Sequence, residues 1–250
     1  MSELEKYRNS ESEKARTADL VRLLPRGRSS VLDIGAHDGF FSRLLTNYFE
    51  TVTALDLQMP AIDYPRVLNA VGDVTQLPFP DCSFDCVFCA EVLEHVPALG
   101  NACREIARVA RHEIVIGVPY KQDIRVGRST CQQCGKPNPP FGHLNRFDNQ
   151  LLTELFPGLS IQASSCVGSA KSGTNPVSTI LMDMAGNPWG TYDQYQPCIY
   201  CGAKLIPPAR RTVVSRVCSG LAVRMNRLQE LFTRAHGNWI HIVFSKDTHP

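Results

Sequence analysis

This 250-residue sequence predicts an α/β fold: a mostly parallel sheet with helices on both faces and a cysteine-rich insertion after the fifth strand. Three observations carry that reading. Short apolar runs alternate with helical stretches from Ser30 to Val118, the rhythm of a sheet covered on both sides. An apolar strand at Val31 to Ile34 runs into a turn marked by Gly35 and Gly39. The rhythm then breaks at Lys121, where a proline-rich segment carries two Cys-x-x-Cys-Gly units. The composition is that of an ordinary globular chain, with 43% hydrophobic and 20% charged residues, and no apolar run approaches the ~20 residues of a membrane span. A net charge of +2 gives no general reason to expect a nucleic-acid coat.

The elements follow in order. A helix is expected from Arg16 to Leu24, ended by Pro25, then a strand from Ser30 to Gly35 and a helix from Gly39 to about Phe49. Strands come next at Thr51 to Leu57, Val67 to Asp73 and Phe84 to Ala90, then a helix at Asn101 to Ala110 and a strand at Glu113 to Val118. Inside the insertion, a helix is expected at Asp148 to Phe156 and a strand near Leu159 to Val167. An amphipathic helix at Thr212 to Arg234 repeats Val214, Val217, Leu221, Met225, Leu228 and Leu231 at three- and four-residue spacing, and Trp239 to Ser245 reads as a last strand. The expected organisation is an N-terminal helical extension (1–29), a core (30–120), an insertion (121–208) that includes one core helix and strand, and a C-terminal helix and strand (209–250). The first thirty residues lack the apolar stretch of a signal peptide, which points to a reducing, cytoplasmic compartment. Six cysteines scattered through apolar segments then read as small buried hydrophobes.

Gly35 and Gly39 permit a sharp turn ahead of a helix start that offers free amides. Asp56, at the end of the next strand, can take both hydroxyls of a ribose. Two features argue against a dinucleotide. His37 occupies the position where a third glycine would seat a pyrophosphate, and Asp33, as an anion just ahead of the turn, would repel phosphate and suit a cation.

These residues resemble the class I S-adenosylmethionine-dependent methyltransferases, in the methyltransferase type 11 group related to ubiquinone-biosynthesis O-methyltransferases. Asp33-x-Gly35-x-x-x-Gly39 is similar to the family's first motif and Asp56 to its ribose acid, while Gly72-Asp73-Val74 followed by Leu77-Pro78-Phe79 is similar to the adenine segment. Ser83 to Phe88 and then Glu91-Val92-Leu93-Glu94-His95-Val96 are similar to the fourth strand and the helix after it. The resemblance covers roughly Val31 to Val118. It implies a Rossmann-like seven-stranded sheet with the last strand antiparallel, and S-adenosylmethionine held by Asp33, Gly35, Ala36, Gly39, Asp56, Leu57, Asp73, Val74, Ala90 and Glu91.

The units Cys131-x-x-Cys134-Gly135 and Cys198-x-x-Cys201-Gly202 can each turn two thiolates toward one metal, and four thiolates suit a closed, structural tetrahedral Zn²⁺. A redox pair and four unliganded thiols are the competing readings, with zinc favoured. Glu91, Glu94 and His95 fall at i, i+3 and i+4 and would share one helical face. With His143 from Phe141-Gly142-His143-Leu144, they are similar to the metal site of small-RNA 3′-end 2′-O-methyltransferases, in which Mg²⁺ or Mn²⁺ would hold acceptor oxygens. His143 can equally serve as a base or acceptor contact without metal, or as a structural hydrogen-bonding residue; Glu91 and His95 are the other catalytic candidates.

The function expected is transfer of a methyl group from S-adenosylmethionine to an O or N atom of a small molecule, such as a sugar or secondary metabolite. The alternatives are an RNA or protein methyltransferase and a non-catalytic module that keeps the cofactor fold. Nucleic acid is not the expected partner, because Arg210, Arg211, Arg216, Arg224 and Arg227 are spaced like the wet face of a helix without interleaved aromatics.

Overall fold

The structure, a computed structural model, describes residues 7–171 and 173–246. The chain forms two compact units, one of residues 1–120, 147–168 and 237–250, the other of 121–146 and 169–236. In the first unit the elements are α1 (Glu11–Leu23), β1 (Ser30–Ile34), α2 (Phe40–Leu45), β2 (Thr51–Asp56), β3 (Val67–Val71) and β4 (Phe84–Ala90). They continue with α3 (Leu99–Val109) and β5 (Ala110–Pro119), and after the excursion into the second unit with α4 (Asn149–Leu155), β8 (Ser160–Val167) and β9 (Trp239–Ser245). The second unit holds the short strands β6 (Ser129–Thr130) and β7 (Pro137–Asn138) and the helices α5 (Pro176–Met184) and α6 (Val213–Glu230).

The first unit is a seven-stranded sheet in the order β3-β2-β1-β4-β5-β9-β8. Strands β3, β2, β1, β4 and β5 run parallel, with Val31 beside Val52 on one side and Cys86 on the other. β9 pairs antiparallel with both β5 and β8, as expected of the last strand. Each central strand is apolar at nearly every position because both of its faces are covered. Leu20, Leu24, Leu45 and Phe49 from around α1 and α2 pack on Val31, Val52, Phe88 and Val115. On the opposite face Ala102, Ile106 and Val109 of α3, with Leu152 and Phe156, pack on Leu32, Val87, Ile114 and Ile116. A truncation such as Ile106→Ala in this layer would cost about 2–5 kcal/mol.

Three local differences from the sequence reading have physical causes. α1 begins a turn and a half earlier than expected, capped by Ser10 Oγ on the Glu13 amide at 3.3 Å. Its inward face carries Glu13, Arg16 and Leu20, so two charged residues mask the apolar period. α5 has no counterpart in the sequence reading: Asn175 Oδ1 caps Ser178 N at 2.9 Å and Pro176 takes the first helical position, a start signal hidden in an Asn-Pro that also reads as a turn. Cys82 and Cys166 are exposed, on the turn before β4 and on the edge strand β8, whereas Cys86, Cys89, Cys103 and Cys218 are buried as read.

α6 differs more deeply. Its buried residues are Ser215, Cys218, Ser219 and Ala222, and Ser215 Oγ donates to Ala185 O at 2.7 Å at the end of α5. The small side chains let the two helices approach closely. Val214, Val217, Leu221, Leu228 and Leu231, expected to face a core, are exposed instead. No helix among the described residues is long and apolar enough to cross a membrane.

Candidate functional site

The residues expected at a cofactor sit at the carboxyl ends of β1, β2, β3 and β4, adjacent parallel strands, where ligands bind in open α/β sheets. After β1 the backbone makes left-handed turns at Gly35, His37 and Gly39, with φ of 78°, 47° and 77°. A side chain on Gly35 would run into Val92, with its Cβ 2.3 Å from Val92 Cγ2. His37 accepts the conformation at some cost, and its exposed ring leaves the loop's backbone to do the positioning. The loop is tied to β2 by Gly35 N and Ala36 N, which donate to Leu55 O at 2.8 and 3.1 Å.

Asp56 closes β2 with both carboxylate oxygens already oriented: His37 N donates to Oδ2 at 2.9 Å and Leu57 N to Oδ1 at 2.7 Å. Each oxygen keeps lone-pair capacity for a ribose hydroxyl. Asp73 accepts from Thr75 N and Thr75 Oγ1, both at 2.8 Å through Oδ1, fixing the turn after β3. Ala36, Val74 and Ala90 are buried and Leu57 is exposed, so the same strand ends offer both packed apolar walls and an open apolar surface.

Asp33 differs from the anion expected. It is 2% exposed and receives Ser42 Oγ at 2.5 Å. Burial pushes its carboxyl up to about 7, with the Ser42 hydroxyl opposing and the charge of Asp56 adding. The group is thus poised between its two forms at neutral pH and would be driven to the ionised one by an adjacent cation.

The segment after β4 also departs from expectation. Glu91, Glu94 and His95 do not share a helical face: only Leu93–His95 form a single 3₁₀ turn, and Glu91 precedes it in a left-handed conformation at φ 61°. Glu91 is paired with Arg16, which is itself bonded to Glu13 Oε2 at 2.6 Å and lies 4.5 Å over the Trp239 ring. A carboxylate held this way is not free to ligate a metal. Glu94 is 1% exposed, and neither of its oxygens has a hydrogen-bond partner among the described residues; burial pushes it up to about 8. His143 belongs to the other unit, buried, with Nδ1 2.6 Å from Gln122 Oε1.

Sequence reasoning missed the anchors supplied by α1 and the residues before it. Arg8 forms a two-pronged pair with Asp38 of the glycine loop and lies 4.4 Å over Phe40. Asp19 accepts from His241 at 2.7 Å and Ser165 at 3.0 Å. No local pattern announces contacts between residues this far apart in the chain.

In the second unit, the four cysteines Cys131, Cys134, Cys198 and Cys201 converge, with all sulfurs within 4.8 Å of one another. Cys131 and Cys201 lie 3.7 Å apart and Cys134 and Cys198 3.6 Å, close to the ~3.8 Å edge of a tetrahedron with 2.3 Å metal–sulfur bonds. The two knuckles fold alike: Gly135 N donates to Cys131 O and Gly202 N to Cys198 O, each at 2.9 Å, and both glycines have φ of 73°. Burial raises the Cys198 thiol, but the amides of Tyr200 and Cys201 outweigh it and bring it to about 6. At Cys201 the Ala203 amide is outweighed by burial and the neighbouring sulfurs, which push the thiol up to about 12, so the four sulfurs share the negative charge unevenly.

A parallel sheet with one antiparallel strand beside its edge, and a glycine turn and ribose-type acid at adjoining strand ends, defines the Rossmann-like fold of class I methyltransferases. Residues 32–115 match the family described as Methyltransferase domain. A malonyl-[acyl-carrier protein] O-methyltransferase of Serratia marcescens is 36% identical over 99 residues, which cover 36% of this chain and 39% of that protein. A protein assigned to the S-adenosylmethionine-dependent methyltransferases in Mycobacterium tuberculosis is 31% identical over 142 residues, 54% of this chain and 49% of its own. The chain thus spans half or less of the length of these relatives. The N-methyltransferase NodS of Bradyrhizobium japonicum, solved with S-adenosyl-L-homocysteine, shares the fold at a TM-score of 0.53 and 20% identity, over 65% of this chain and 83% of that one. Residues 32–115 are thus similar to the methyltransferase domain of these proteins, and the sheet has the class I methyltransferase fold.

Proposed function

We propose that the protein is an enzyme that transfers a methyl group from S-adenosylmethionine to an oxygen or nitrogen of a small molecule. The observation that carries the cofactor is Asp56, whose two oxygens are aimed by the His37 and Leu57 amides at the mouth of the glycine turn. Asp73 and the apolar Leu57 and Val74 would take the adenine side, and Asp33, Gly35, Ala36 and Gly39 the amino-acid side. Ala90 and Glu91 would close the site from β4. The oxygen acceptor is supported by the Serratia marcescens relative, which is an O-methyltransferase by name. When bound, the sulfonium supplies an activated methyl group with a good leaving group, so the chain's work is mainly to align the acceptor and keep water out. His143 and His95 are the groups proposed to take a proton from an acceptor that must lose one.

Asp56→Ala tests the assignment of the ribose acid. It should weaken S-adenosylmethionine binding by about 1–3 kcal/mol, because two ribose hydroxyls lose a charged acceptor. Calorimetric titration showing unchanged affinity would refute the role.

Asp33 adds a pH signature. A cation selects its ionised form, so cofactor affinity should fall as pH drops below about 7, by up to about tenfold per pH unit, and level off above it. Without ligand the sign reverses. A carboxyl raised by folding contributes most below its ordinary pKa, and that stability is lost as pH rises through about 7. Asp33→Asn should therefore flatten the affinity profile while narrowing the gap in ligand-free stability between pH 5 and pH 8.5. A profile as steep in the variant as in the parent would show that another group is responsible.

We further propose that Cys131, Cys134, Cys198 and Cys201 hold a structural Zn²⁺. Four protein sulfurs leave no open position, so the ion would organise the second unit and take no part in the reaction.

A further inference from the structure

The arginines of the second unit gather around one cleft, with Arg216, Arg224 and Arg227 exposed and Arg211 half-buried. Arg216, Arg224 and Arg227 of α6 line one side of a cleft of about 640 Å³, together with Arg211 from the preceding segment and Arg125 and Arg128 from the loop before β6. Three stretches separated in sequence thus bring their cations to one place, which helical periodicity alone would not do. No acidic side chain lines the cleft among the described residues. Two of the six cations have counter-charges behind them: Asp123 accepts from Arg125 at 2.8 and 2.9 Å, and Asp183 from Arg128 at 3.0 Å. The guanidinium groups of Arg216, Arg224 and Arg227 form no ion pair or hydrogen bond among the described residues.

Arg211 gives the cleft a built element. Its guanidinium lies 4.6 Å over the Trp189 ring and donates to Ser219 Oγ at 2.9 Å, while its Nε is buried without a partner. Trp189, also in the lining, is 63% exposed and leaves indole surface open to a flat group. Four guanidinium groups without a counter-charge line one concavity, and a multiply charged anion can join them through forked, charge-assisted hydrogen bonds. The volume is that of a small-molecule site, large enough for a mononucleotide.

We propose that this cleft binds a nucleoside diphosphate, its adjacent phosphates among Arg211, Arg216, Arg224 and Arg227 and its base against Trp189. The inference stands apart from methyl transfer and from the zinc assignment. It is tested on the full chain by calorimetric titration with ADP and with inorganic pyrophosphate, at low salt and with S-adenosylhomocysteine at saturation so that the first unit's site is occupied. The expected result is one ADP per chain, with pyrophosphate binding more weakly at the same place. Arg224→Gln combined with Arg227→Gln should weaken both ligands by about a hundredfold, roughly tenfold per lost charge-assisted contact. The corresponding lysine pair should recover part of the loss. Trp189→Leu should weaken ADP and leave pyrophosphate unchanged, and S-adenosylhomocysteine binding and the far-ultraviolet dichroism should be the same in every variant. The proposal is overturned by absence of ADP binding at millimolar concentration, or by ADP binding that the glutamine pair does not affect. It is equally overturned if a short single-stranded RNA binds through these arginines more than a hundredfold tighter than ADP, which would make the cleft a nucleic-acid surface, or if vesicles of anionic phospholipid bind while ADP does not.

Discussion

Serine in place of Cys131 or Cys198 is expected to remove about one zinc per chain and to open residues 121–146 and 169–236 to protease. Apart from hydrogen bonds such as Ile199 N to Asn138 Oδ1 at 2.9 Å, the knuckles have only a small apolar core. The buried apolar set there is Leu205 with the cysteines themselves, joined by partly buried Tyr192 and Ala203. A core of that size cannot offset the ordering of a proline-rich chain. Structural zinc in small knuckles contributes on the order of 10–16 kcal/mol of apparent binding energy, most of it expressed as folding. With the proposed ion bound, loss of one of four thiolates would change the local stability by more than any single contact in the sheet. Chelator should reproduce the effect and added Zn²⁺ reverse it. Metal-free protein with an unchanged proteolytic pattern would contradict the assignment.

Arg16→Met is the second large effect. Arg16 is 2% exposed and serves two carboxylates, Glu13 and Glu91, while stacking on Trp239. Methionine keeps much of the volume but strands both acids, and breaking a buried pair from one side costs about 3–5 kcal/mol. The loss should depend on pH with a definite sign. Burial already raises the Glu91 carboxyl, and Arg16 is the main group holding it down. Without the arginine it rises further, so the variant sheds the charge more readily as the pH falls. Urea titration should show the larger deficit at the higher pH. Adding Glu13→Gln and Glu91→Gln should recover part of it. A deficit below about 1 kcal/mol, or one equal at both pH values, would mean that the network contributes packing only.

The parts of this architecture that rest on local chemistry are legible in the sequence. The Val31 to Ile34 strand, the Phe84 to Ala90 strand and the Trp239 to Ser245 strand are mostly apolar runs, broken by Asp33, Asp85 and His241, because both faces are buried, and no helix competes for runs so short. The glycine turn and Asp56 are legible because positive φ and a strand-end carboxylate leave residue-type signatures. Charge obscures the rest. α1 buries Glu13 and Arg16, so its inward face reads as polar until Glu91 and Trp239 are seen beside it. α6 misleads in the opposite sense, with its Val and Leu stripe exposed and its inward face made of serine, cysteine and alanine. The proposed catalytic set suffers from the same limit. Glu91, Glu94 and His95 have helical spacing, but the chain makes one 3₁₀ turn there and commits Glu91 to an arginine 75 positions earlier in the sequence.

The central claim is that the turn after β1 and the acid ending β2 receive S-adenosylmethionine. Calorimetric titration of the purified full chain with S-adenosylmethionine at pH 8 tests it most directly. One site per chain, weakened at least severalfold by Asp56→Ala and tighter at pH 8 than at pH 6, is the predicted result. Absence of heat and of any binding at millimolar ligand, with the chain folded by circular dichroism, would contradict it.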